Sequence, residues 1–139
     1  MTVDIGLTHV ALAATHLDDS IRFYHKYARM QVIHQRTDPV SGHRVVWLSD
    51  RTRPFVLVLI EAESPEPVLT PFAHLGVGCA TRREVDQLAE EARKDGILIR
   101  EPVDEGYPVG YYIFVKDPNG HSLELSYGQE VGLAVEEAN

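Results

Sequence analysis

Asp117-Pro118-Asn119-Gly120-His121-Ser122-Leu123-Glu124-Leu125 is the stretch whose reading decides the fold. Asp-Pro-Asn-Gly is turn chemistry: the proline presets φ and the glycine tolerates φ > 0. Beyond the turn, the residues from His121 to Tyr127 alternate and read as a strand. Glu124 sits on it between Leu123 and Leu125. A carboxylate in that setting either faces solvent or is held inside by a cation, because an unpaired buried charge is too costly. Two histidines occupy matching strand positions upstream, His9 and His74, and the three together point to one metal.

Working outward, the chain reads as the same unit twice. Ile5 to Ala13 is a first strand, with Leu7, His9, Ala11 and Ala13 on one face. Thr15-His16-Leu17-Asp18 has the form of a capping box and opens a helix with Leu17, Ile21, Tyr24 and Ala28 at helical spacing. Gln31 to Arg36 and Arg44 to Leu48 are paired strands around a turn at Thr37–Gly42. The apolar run Phe55 to Ile60 is a strand covered on both faces. Glu63 to Pro71 is proline-rich and connects the halves. Phe72 to Cys79 is then a strand carrying His74. Thr81-Arg82-Arg83-Glu84 caps a second helix, which Gly96 ends. Ile97 to Arg100 and Tyr111 to Val115 are strands, and the Asp-Pro-Asn-Gly turn leads into the last one.

His9 and His74 are 65 positions apart, and Thr15 and Thr81 are 66 apart. Both halves therefore predict β-α-β-β-β, an α+β fold. The expected organisation is one domain of two modules, about 5–62 and 72–127, forming a curved, partly open mixed-sheet barrel. A connector occupies 63–71, and an acidic, partly disordered tail occupies 128–139.

Composition narrows the function classes. The chain has 139 residues, 44% hydrophobic and 24% charged, with a net charge of −8. No Lys/Arg cluster is available to displace counterions from a nucleic-acid backbone or to hold an anionic membrane surface. The single cysteine, Cys79, excludes an internal disulfide and suits a reducing cytoplasm, and it reads as a buried small hydrophobe. No signal peptide or membrane span is expected. The predicted partners are a small-molecule substrate and a second copy of the chain as a homodimer.

Neutral imidazoles and a carboxylate on rigid strands suit a divalent transition metal with open coordination positions. With that trio in place, the sequence resembles the vicinal oxygen chelate superfamily, which includes glyoxalase I, fosfomycin-modifying enzymes, extradiol dioxygenases and bleomycin-binding proteins. The likeness rests on Leu7-Thr8-His9-Val10-Ala11-Leu12, Asp19-Ser20-Ile21-Arg22-Phe23-Tyr24, Ala73-His74-Leu75-Gly76-Val77 and Asp117-Pro118-Asn119-Gly120 through Leu123-Glu124-Leu125. It implies His9, His74 and Glu124 as ligands of Fe, Mn, Ni, Zn or Co.

Departures from the pattern shape the expected reaction. The fourth-ligand slot of glyoxalase I falls on Val58 or Leu59, with Glu61 the nearest acid. The tyrosine and histidine of extradiol enzymes are replaced by Phe114 and by no histidine, leaving Tyr107, Tyr111 or Tyr112 as substitutes. The resemblance therefore implies a metal-dependent enzyme acting on vicinal oxygens, with a glyoxalase-like lyase or isomerase preferred to an extradiol-type dioxygenase. Glu124, Tyr107 and Tyr112 are its catalytic candidates, and Arg44 and Arg100 are candidates for an anionic substrate group. A drug-sequestering protein of the bleomycin-binding kind is the reading from another class. His121 reads as a surface group or a partner to a ligand, and Trp47 as core or cavity lining.

Overall fold

The computed structural model describes residues 3–64 and 66–138. Its elements run β1 (His9–Ala14), α1 (Leu17–Ala28), β2 (Gln31–Thr37), β3 (Arg44–Ser49), β4 (Val56–Glu61), β5 (His74–Gly78), α2 (Arg82–Lys94), β6 (Leu98–Asp104), β7 (Tyr111–Lys116), β8 (Ser122–Tyr127) and α3 (Val131–Glu137). Two compact units divide between Glu66 and Pro67. Pro65 of the connector and Asn139 of the tail lie outside the described residues.

Each unit is one βαβββ module built on a four-stranded mixed sheet. The strand orders are β1-β4-β3-β2 and β5-β8-β7-β6. Three strands form an antiparallel meander, and the last returns beside the first in parallel. A helix must intervene before that return, because a parallel pairing needs a crossover.

In the first unit, α1 buries Leu17, Phe23, Tyr24 and Tyr27. Leu12, Ala14, Val46, Leu48, Leu57 and Leu59 are the buried strand residues on the sheet's helix side. Burying each such leucine contributes about 1.5–3 kcal/mol. In the second unit, Val85, Ala89 and Ala92 of α2 are fully buried, as are Ile113, Val115, Leu123 and Leu125. The Thr81 hydroxyl accepts from the Glu84 amide at 3.1 Å, and Glu84 in turn accepts from the Ala80 amide at 2.9 Å. At the other end Gly96 takes φ +71, and the Gly96 and Ile97 amides donate to the Arg93 and Ala92 carbonyls. That is the left-handed ending that only glycine adopts without strain.

Several expectations are corrected. α1 starts at Leu17 with His16 at the N-cap, one residue later than a cap at Thr15 implies, and the His16 side chain makes no capping bond. The first strand begins at His9, because Gly6 turns the chain at φ +85. The strand at 55–60 is covered on both faces at its centre, where Leu57, Val58 and Leu59 are buried, and Ile60 near its end is 41% exposed. Cys79 is only half-buried. Within the tail, Val131–Glu137 form α3, with no residue buried.

Candidate functional site

Strand parity decides which side chains can meet. In the second unit, β5 and β8 run parallel with His74 opposite Ser122 and Gly76 opposite Glu124. Across the next ladder Glu124 faces Phe114, and Ser126 faces Tyr112. His74, Glu124, Phe114 and Tyr112 therefore share the face turned away from the buried face of α2, which takes Leu123, Leu125, Ile113 and Val115 instead.

Glu124 is a buried carboxylate, 7% exposed. Its hydrogen-bond partner is the Gln129 amide, whose Nε2 donates to Glu124 Oε2 at 3.1 Å and to the Val109 carbonyl at 3.1 Å. Among the described residues no cationic side chain pairs with it. A buried anion held by one neutral amide lacks the counter-charge that burial demands. His74 is exposed, and its Nδ1 lies 2.7 Å from the Phe72 carbonyl. A carbonyl only accepts, so this bond puts the proton on Nδ1 and leaves the Nε2 lone pair outward, the form that ligates a metal. Phe114 packs edge-on against that imidazole, with ring centroids 4.9 Å apart.

The first unit presents His9 on the equivalent strand. His9 pairs with Val56 and Ala11 with Val58, so Val58 occupies the place that Glu124 holds in the second unit. Trp47 is opposite Val58, as Phe114 is opposite Glu124, and stacks on His34 at 4.8 Å. Glu61 pairs with Ala14, on the opposite face from His9, and accepts from the Arg44 amide at 3.0 Å. That removes Glu61 from the ligand set. Arg44 is also placed elsewhere, paired to Asp18 at 3.1 Å.

Among the described residues, no three His, Cys, Asp or Glu side chains gather into a group that could hold a metal ion. The first unit carries His9 on β1, and the second carries His74 on β5 and Glu124 on β8. The donor chemistry of the three fits a divalent cation: two imidazoles, and a carboxylate already desolvated with no cationic side chain beside it.

The tyrosines separate clearly. Tyr112 is buried, 4% exposed, and its hydroxyl donates to Glu105 Oε2 at 2.5 Å. That hydrogen bond, reinforced by burial, raises its pKa above the usual 10.0. Tyr111 points to the other face, donates to Asp86, and has its pKa raised chiefly by that bond. Tyr107 is 60% exposed in the loop before β7, and its hydroxyl lies 3.4 Å from Glu137.

Three partners carry no sequence signal of their own: Glu105, Gln129 and the buried His121. His121 is 2% exposed, so it is not a surface group. Its Nδ1 accepts from the Leu69 amide at 3.3 Å, while its Nε2 is buried without a protein partner among the described residues. It fastens the 67–69 segment to the Asp-Pro-Asn-Gly turn, an arrangement completed by the Ser122 amide donating to the Leu69 carbonyl at 2.7 Å.

Comparison with known proteins shows the family and the fold. The chain is 39% identical over 129 residues to an uncharacterized protein of Pseudomonas aeruginosa, covering 91% of each. It is 30% identical over 122 residues to a lactoylglutathione lyase of Arabidopsis thaliana, covering 84% of this chain and 42% of that protein. The chain thus spans less than half of that plant relative. A fosfomycin resistance protein FosX from Listeria monocytogenes, in complex with Mn(II), shares its fold with a TM-score of 0.69 at 20% identity, covering 96% of this chain and 99% of that one. A glyoxalase I mutant from Zea mays does so with a TM-score of 0.70 at 23% identity, covering 89% and 44%. Residues 6–125 match the family description itself, and the chain belongs to the Glyoxalase/Bleomycin resistance protein/Dioxygenase superfamily.

Proposed function

We propose that this protein is a divalent-metal-dependent enzyme acting on a small substrate with vicinal oxygens, as a glyoxalase-like lyase or isomerase. His9, His74 and Glu124 hold the ion, one imidazole coming from each module. The observation that carries this reading is Glu124, a buried carboxylate with a neutral amide as its partner, on the same sheet face as His74, whose Nδ1 is tied to a carbonyl. A divalent metal bound there supplies Lewis-acid polarisation of the substrate's paired oxygens.

The chain's own residues then handle the proton. Tyr112 lies on the same face, and its hydroxyl donates to Glu105, which leaves the phenol oxygen a lone pair to accept a proton. As that oxygen accepts a proton from the substrate carbon, Glu105 takes the phenol proton, so no free tyrosinate is needed. Phe114 walls His74 and keeps water from one side of the imidazole.

A second reading, an extradiol-type dioxygenase, is favoured by one observation. Val58 stands in the register position of Glu124, so a fourth protein ligand is replaced by an apolar side chain. Three ligands leave more open positions for substrate and dioxygen. The proposal also includes a homodimer in the cytoplasm. Leu7 and Phe72, each two residues ahead of a ligating histidine, are 89% and 90% exposed and offer apolar surface to a second copy.

Elemental analysis of the purified protein tests the ligand set. Stoichiometric metal in the wild type and its loss in His74→Ala and Glu124→Gln are expected; full retention by His74→Ala overturns it. Isomerisation of a methylglyoxal–thiol hemithioacetal, set against oxygen uptake with catechol, separates the two reactions.

A further inference from the structure

We infer that Arg100 binds an oxyanion on the substrate, a carboxylate or phosphonate carried at the end remote from the vicinal oxygens. The inference rests on the proposed function and names the substrate class of the same site.

The β6–β7 ladder sets the position of this side chain. Leu98 pairs with Val115, but Arg100 pairs with Phe114, and Val103 with Tyr112, so the register slips on both sides of Arg100. Without the first slip Arg100 would oppose Ile113, whose buried face belongs to α2. The extra residue turns Arg100 onto the face of Phe114, Glu124 and His74 instead. Bulges commonly re-aim a side chain beside an active site. The neighbouring Glu101 is turned the other way, where it pairs with Arg93 of α2.

Charge pairing supports the same conclusion. Arg22, Arg44, Arg82 and Arg93 each pair with a carboxylate. Arg100, like Arg36, Arg51, Arg53 and Arg83, makes no ion pair among the described residues, and of these it is the one on β6, with its guanidinium 5.4 Å from the Tyr112 ring centroid. The fork therefore remains available for bidentate recognition of an oxyanion.

An aromatic floor links this cation to the metal ligands. Tyr112 meets Phe114 edge-on at 5.7 Å, and Phe114 meets His74 at 4.9 Å. Arg100 and Glu124 are two strand spacings apart, about 10 Å between backbones. A substrate that fits has paired oxygens at one end, a flat apolar body against Phe114, and an anion at the other end.

Isothermal titration of metal-loaded protein with 3,4-dihydroxybenzoate, 3,4-dihydroxyphenylphosphonate and catechol tests this. At least one anionic probe is expected to bind about tenfold to a hundredfold more tightly than catechol, and the tighter of the two names the oxyanion. Arg100→Gln should abolish that ratio and Arg100→Lys should restore part of it, with melting temperatures matched to wild type. Equal binding of all three probes by the wild type, or a ratio that survives Arg100→Gln, overturns the inference. Titrating benzoate and phenylphosphonate into metal-stripped protein keeps the two claims separable. Weak binding that depends on Arg100 persists there if the arginine subsite is real, whatever becomes of the metal ligands.

Discussion

Gly76 and Glu124 are partners across the parallel β5–β8 ladder, and a Cβ placed on Gly76 would lie 3.4 Å from Glu124 Oε2. The glycine leaves the space beside the carboxylate clear. Gly76→Val fills it with a residue that strands accept well. Divalent-metal affinity is expected to fall at least tenfold, with a melting temperature no lower than wild type. Metal titration beside thermal unfolding checks it, and undiminished affinity would count against the proposed ligand.

Gln129 holds the same carboxylate oxygen through Nε2. Gln129→Ala should lower metal affinity by roughly 10- to 100-fold, the usual cost of losing a partner that orients a ligand. Gln129→Glu should be worse, since it sets a second anion beside Glu124. Competition with a chromogenic chelator would rank the three proteins.

Tyr112 gives a pH-dependent prediction. Its folded pKa is raised, first by the bond to Glu105 and then by burial. A raised folded value stabilises the protein below the unfolded pKa, here 10.0, and that stability is lost as pH rises through the folded value. Wild-type stability should therefore fall above about pH 10 by an increment missing in Tyr112→Phe. Urea unfolding at a series of alkaline pH values would show whether the two curves converge.

Gly110 has φ +85, and a Cβ there would meet the Tyr127 carbonyl oxygen at 2.5 Å and Gly128 C at 2.7 Å. Both obstacles are backbone and cannot rotate away. Gly110→Ala should destabilise the fold by roughly 2–4 kcal/mol, combining left-handed strain with overpacking. Denaturant midpoints at constant m-value measure this directly.

Much of this architecture is legible in the chain, and the reasons are local. The Asp-Pro-Asn-Gly turn dictates its own geometry, and the Gln31–Thr37 to Arg44–Ser49 pair follows from alternation around turn residues. Strand parity alone places His74 and Glu124 on one face. The parts that are not legible depend on partners distant in sequence. The slips around Arg100 exist only relative to β7. His121 is buried because the 67–69 segment passes beside it. Gln129 reaches Glu124 after Gly128 turns the chain at φ +77. The start of α1 falls one residue later than a cap at Thr15 implies, because sequence form does not fix where a helix begins.

The histidine and the carboxylate do not sit equally deep in their sheet. β5 is an edge strand, bonded only to β8 within its sheet, and two of its five residues are glycine, whereas β8 is bonded on both sides. Amide hydrogens of β5 should exchange with solvent well before those around Glu124. Loss of a bound ion would then begin with the fraying of a five-residue ribbon, and its lifetime would be governed by how often that ribbon opens rather than by the strength of any one bond.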